Sequence, residues 1–288
     1  MTDLDQQQIL FGHNRYRVDR FWGKLPEGLD LGIVSTLAVA SDGALFVAQR
    51  NGPPVLVFEP DGTLRQSWPD DLAVDPHGIN IVRGGLDGAG DQVLLVDRDA
   101  HQVLICTLDG RLIRAIGERH RPNFQAPFNH PTSAFGTSDG EIYVADGYGN
   151  STVHRFGADG THVSTWGSPG NGPGEFTTPH SVWVDARNRV LVADRENSRI
   201  QVFGRDGEYL DSWTGFYKPM DIAEDNDGML YISDQIPRVS QIDADGHLCG
   251  RARPAWNVPH GLACGVNGEM FVIEMNPSSL TRLTPIIN

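Results

Sequence analysis

Six times along these 288 residues a short apolar strand closes on a similar signature, and the spacing of the copies leaves few folds open. The copies end at Gln49 (LFVAQ), Asp97 (VLLVD), Asp146 (IYVAD), Asp194 (VLVAD), Asp234 (LYISD) and Glu274 (MFVIE), separated by 48, 49, 48, 40 and 40 residues. That period is the size of a propeller blade. Within a copy the order is constant. A strand such as His180-Ser181-Val182-Trp183-Val184 leads through a turn to Val190-Leu191-Val192-Ala193-Asp194, then to Ile200-Gln201-Val202-Phe203, an Asp206-Gly207 turn and an outer strand ending near Trp213. Short apolar runs broken by Asp-Gly or Asn-Gly turns are hairpin signals. The pattern predicts an all-β, six-bladed propeller with four strands per blade and no helix.

The ends of the chain predict how the ring closes. The sixth copy stops at Leu280-Thr281-Arg282-Leu283, too near the C-terminus for a fourth strand, while Tyr16 to Gly23 is similar to the outer strand Thr161 to Gly167 of the third copy. Supplying the last blade's outer strand from the N-terminus would remove the free edges of an open ring. On this reading residues 16–288 form the propeller, and residues 1–15 are a tail with no blade to join.

Composition narrows the partners. The formal net charge of −14 argues against nucleic-acid or anionic-membrane binding, which need a basic patch. No run approaches the roughly 18 apolar residues of a membrane span, and the acidic start Met1-Thr2-Asp3-Leu4-Asp5 shows no signal peptide. Cys106, Cys249 and Cys264 are odd in number and lack CxxC spacing, as suits free thiols in a reducing compartment. The cytoplasm is the expected location.

The first strand of each copy carries the chemistry. Its leading position holds Ser35, His77, Thr132, His180, Met220 and His260, so histidine follows proline in alternate copies. In each hairpin this position and the terminal acidic residue fall at the same end, which puts three imidazoles around one point of the axis. Three histidines with an open fourth position form a catalytic zinc ligand set. A lone histidine there would be an ordinary strand residue; three in alternation point to metal. His101, His130, His154 and His162 lie at other phases of the repeat and are read as structural.

The residue after each acidic position is Arg50, Arg98, Gly147, Arg195, Gln235 or Met275. Three arginines on the histidine face would make a positive rim suited to a carboxylate. The competing reading is that each arginine pairs with a repeat aspartate and ties blades together. Tyr148, two residues past Asp146, offers a proton carrier or a hydrogen-bond donor.

The repeat resembles the NHL family. Asp146-Gly147-Tyr148-Gly149-Asn150-Ser151, Pro179-His180-Ser181 and Ala193-Asp194-Arg195-Glu196-Asn197-Ser198-Arg199-Ile200-Gln201 together look like peptidylamidoglycolate lyase, the lyase that completes peptide C-terminal amidation. The resemblance covers the whole propeller and is strongest from Pro131 to Phe203. It implies one zinc on His77, His180 and His260, and catalytic roles for Tyr148, Arg50 and Arg195; Arg98, read from the rim alone, is a further substrate-binding candidate. The implied reaction splits the N–C bond of a peptidyl- or acyl-α-hydroxyglycine into an amide and glyoxylate, and the implied partner is a small or short-peptide substrate bearing a carboxylate. Two departures stand out. Gly149 replaces a disulfide cysteine, and Gly261 replaces an aspartate tied to catalysis and to a bound calcium, which weakens the case for calcium. Two other readings remain open: a lactonase-like zinc hydrolase using the same site, and a non-catalytic NHL interaction module.

Overall fold

The computed structural model describes residues 7–124, 127–253 and 256–286. Among these the architecture is a six-bladed β-propeller without helices. The inner strands of blades 1 to 6 are Val34–Val39, Pro76–Val82, Ser133–Gly136, Pro179–Val184, Pro219–Glu224 and Pro259–Cys264. In blades 1 to 5 the four strands follow one another outward in chain order.

Burial explains the pattern of residues. Second strands such as Leu45–Gln49 and Val190–Asp194 are buried on both faces, so their sequences are nearly continuous apolar runs. Fourth strands lie outside; Leu64–Ser67 alternates half-buried and exposed residues. Six apolar clusters fill the six gaps between neighbouring blades, and the cluster of Leu37, Leu45, Phe271 and Leu280 joins blade 1 to blade 6.

The ring closes as expected, with one correction. Asn14–Asp19 pairs antiparallel with Ser278–Pro285, in a register that sets Tyr16 opposite Pro285 and Asp19 opposite Arg282. The expected tail of residues 1–15 is not all tail: Gln8–Phe11 folds back on Asn14–Asp19 and makes blade 6 five-stranded. Ile9 and Phe11 are buried, in one cluster with Tyr231, Val239 and Ala252 of blade 5, so the added strand has an apolar face to cover. Residues 1–6 of that tail lie outside the described residues.

Candidate metal centre

In blades 1, 2, 4, 5 and 6 the leading position of the inner strand sits where the ladder slips by one residue. Pro179 pairs with Asp194 but Ser181 pairs with Ala193, so His180 is the extra residue of a β-bulge. The same slip places Ser35, His77 and Met220 outside their ladders, and it recurs between Pro259 and Leu262, the stretch that carries His260. A bulge leaves its extra residue out of the ladder and re-aims its side chain. Here that turns the three imidazoles toward the axis.

The blades behind them are pinned by the repeat acidic residues. Each accepts a backbone N–H from the loop leading into its own inner strand, and Gln49 does the same in blade 1. The pairs are Gln49 with Gly32, Asp97 with Val74, Asp146 with Asn129, Asp194 with Thr177, Asp234 with Tyr217 and Glu274 with Asn257. Every donor lies three residues before the leading position, which explains the recurrence of the acid.

His77, His180 and His260 are buried, and one nitrogen of each lies within 4.8 Å of the others. Their Nδ1 atoms face carbonyls of the following blade: His77 faces Thr132 O at 2.7 Å, His180 faces Met220 O at 2.7 Å, and His260 faces Ser35 O. A carbonyl only accepts, so each Nδ1 carries the proton and each Nε2 presents a lone pair. The three positions without histidine thus orient the three with it. Ser35 and Thr132 complete the ring by donating their hydroxyls to Pro76 O and Pro179 O, each at 2.8 Å. Burial, with help from neighbouring imidazoles and arginines, pushes His77 and His180 well below the usual histidine range. Burial above all takes His260 down to about 4. Three neutral, convergent imidazoles fit a divalent metal of borderline softness.

Tyr148 stands over this centre. Its phenol oxygen is 3.1 Å from His77 Nε2 and 3.2 Å from His180 Nε2, and Arg195 donates to it at 3.4 Å. The guanidinium carbons of Arg98 and Arg195 lie 5.5 and 5.4 Å from its ring centroid, so two cations lie against the ring. Gly147 explains why tyrosine reaches the centre from blade 3: a Cβ there would come 2.0 Å from Pro179 O, leaving no room for an arginine at that position.

The arginine rim is less open than the sequence suggests. Arg98 pairs with Asp75 and Asp99, Arg50 lies 3.4 Å from Asp75, and Arg195 pairs with Glu196, which also binds Lys218. None of these partners is a repeat aspartate, although the Arg50–Asp75 contact joins blade 1 to blade 2, so the rim is neither bare nor tied through the repeat acids. Asp75 was not among the expected residues. Burial raises its carboxyl pKa, and the fields of Arg50 and Arg98 oppose that shift.

Among the other histidines, His101 and His130 stack edge to face 4.3 Å apart, and His154 is buried against Asp146 and Thr165. At Gly261 a Cβ would lie 2.7 Å from Thr36 Cα, so the position has no room for a carboxylate side chain. The three cysteines are unpaired. Below the histidine layer the axis opens into a cavity of about 380 Å3, lined among others by Phe135, Trp183 and Asp221. No helix among the described residues is long and apolar enough to cross a membrane.

Fold and site together define a six-bladed propeller with an axial three-histidine centre. The chain is 32% identical to human NHL repeat-containing protein 3 over 238 residues, covering 77% of this chain and 67% of that protein. It belongs to the NHL-repeat family of six-bladed β-propellers. A family profile described as a 6-bladed beta-propeller matches residues 133–237. Peptidyl-alpha-hydroxyglycine alpha-amidating lyase 1 of Drosophila melanogaster is 28% identical over 94% of this chain and 49% of its own length. The chain therefore spans about two thirds or less of these relatives. A gluconolactonase from Xanthomonas campestris shares the fold, with a TM-score of 0.69 and 17% identity over 99% of this chain and 96% of that one.

Proposed function

We propose that the protein is a metal-dependent lyase that cleaves the N–C bond of an N-(α-hydroxyalkyl) amide, such as a peptidyl- or acyl-α-hydroxyglycine, to an amide and glyoxylate. The observation that carries this reading is the phenol of Tyr148, within hydrogen-bond reach of two of the three nitrogens that would hold the metal. Likeness to the amidating lyase of Drosophila melanogaster supports it.

The reaction consumes no water. The α-hydroxyl loses its proton, its C–O bond becomes a carbonyl, and the C–N electron pair departs with the nitrogen, which gains a proton. Zinc on His77, His180 and His260 would supply the Lewis acidity that makes a hydroxyl at the centre more acidic. Tyr148 is suited to carry the proton to the departing nitrogen. Arg50, Arg98 and Arg195 would bind the carboxylate and orient the substrate. The crowding at Gly261 speaks against a calcium carboxylate there. The free cysteines support a reducing, cytoplasmic setting.

Incubation of the zinc-loaded protein with α-hydroxyhippurate is expected to release benzamide and glyoxylate in equal amounts. Lactone hydrolysis without glyoxylate would favour the hydrolase; turnover of neither, with no bound metal, would favour an interaction module. Elemental analysis is expected to find about one metal per chain, and His180→Ala to lose most of it. Arg50→Lys or Arg195→Lys keeps the charge but loses the planar fork, and is expected to cost about 1.5–3 kcal/mol in kcat/KM. Equal turnover of the acid substrate and its neutral ester would count against carboxylate binding by these arginines.

A further inference from the structure

Two of the three rim arginines share a carboxylate that the repeat does not require. Asp75 lies two residues before His77, where the other blades carry Ile33, His130, Thr178, Lys218 and Val258. Its backbone is fixed on both sides: its N–H donates to Asp97 at 2.9 Å, and its carbonyl accepts Arg98 N–H at 3.0 Å. Its side chain faces Arg98 of its own blade and Arg50 of blade 1, and the residue is 7% exposed. Among the described residues Arg50 has no other ion pair. Asp75 approaches it from the Nε side, without forming a hydrogen bond there. The terminal nitrogens of Arg50 are thereby left for a ligand.

We propose that Asp75 is a positioning residue, holding Arg50 and Arg98 in the orientation in which they take up a substrate carboxylate. This rests on the reading of the rim as a carboxylate site. A carboxylate that only neutralised the two arginines would act in the opposite direction, because removing it would strengthen anion binding. The sign of the effect therefore separates positioning from charge compensation.

The test is Asp75→Asn, which keeps shape and loses charge, with hippurate as the probe on zinc-loaded protein. Calorimetry is expected to give hippurate binding about tenfold weaker than wild type, with metal content and melting temperature near wild type. Equal or tighter binding overturns the proposal. A crystal structure of the variant supplies a readout without ligand: the Arg50 guanidinium is expected to leave its wild-type position, and an unmoved Arg50 and Arg98 overturn the proposal as well. Failure of the wild type to release glyoxylate would count against the lyase reading alone, since neither readout here depends on turnover.

Discussion

Tyr148→Phe is expected to lower kcat by about 10²–10⁴-fold while the protein keeps its metal. The substitution removes one oxygen and little else. The ring keeps its contacts with Arg98 and Arg195, and the imidazoles keep their Nδ1 partners on neighbouring blades. What is lost is the hydroxyl near His77, His180 and Arg195. Departure of an amide nitrogen is slow without protonation, so loss of the proton carrier should fall on kcat. A phenol that only shapes the rim would change KM instead. Near-normal turnover with metal retained would rule out Tyr148 as the carrier and favour the hydrolase reading.

Deleting residues 1–24 is expected to prevent stable folding. The deletion removes both N-terminal strands of blade 6 and leaves Ser278–Pro285 as an open edge. It also removes Ile9, Phe11, Tyr16 and Val18, all buried against blades 5 and 6, and Trp22, whose ring lies 5.1 Å from that of Phe271. At roughly 1.5–3 kcal/mol per buried large side chain, the loss is comparable with a typical total stability of about 5–15 kcal/mol. A shorter deletion of residues 1–12 spares Asn14–Asp19 and should melt at an intermediate temperature. Thermal melting and size exclusion decide the matter; a 1–24 deletion that elutes and melts like the full chain would show that closure does not depend on this segment.

The strand Gln8–Phe11 illustrates a limit of reading along the chain. It has four residues, alternates exposed and buried, and gains its apolar contacts from blade 5, far away in sequence. Nothing local marks it as part of a sheet. Asp75 was hidden for a related reason: one aspartate in a loop is ordinary composition, and its meaning comes from Arg50 and Arg98 meeting it from two blades. Its signal was available as the lone carboxylate at its repeat position.

By itself the sequence determined the number of blades, the alternation of histidine around the ring, the end of each hairpin on which it falls and the strand that closes the circle. These follow from period, turn chemistry and apolar runs, which act over a few residues and repeat. The tertiary structure decided the aim and the protonation of the histidines. A one-residue slip turns His180 toward the axis, and a carbonyl 225 residues away, that of Ser35, sets which nitrogen of His260 carries the proton. Such partners are backbone atoms, the same in every residue type. The packing of one blade on the next selects them for His77 and His180, and closure of the ring selects it for His260.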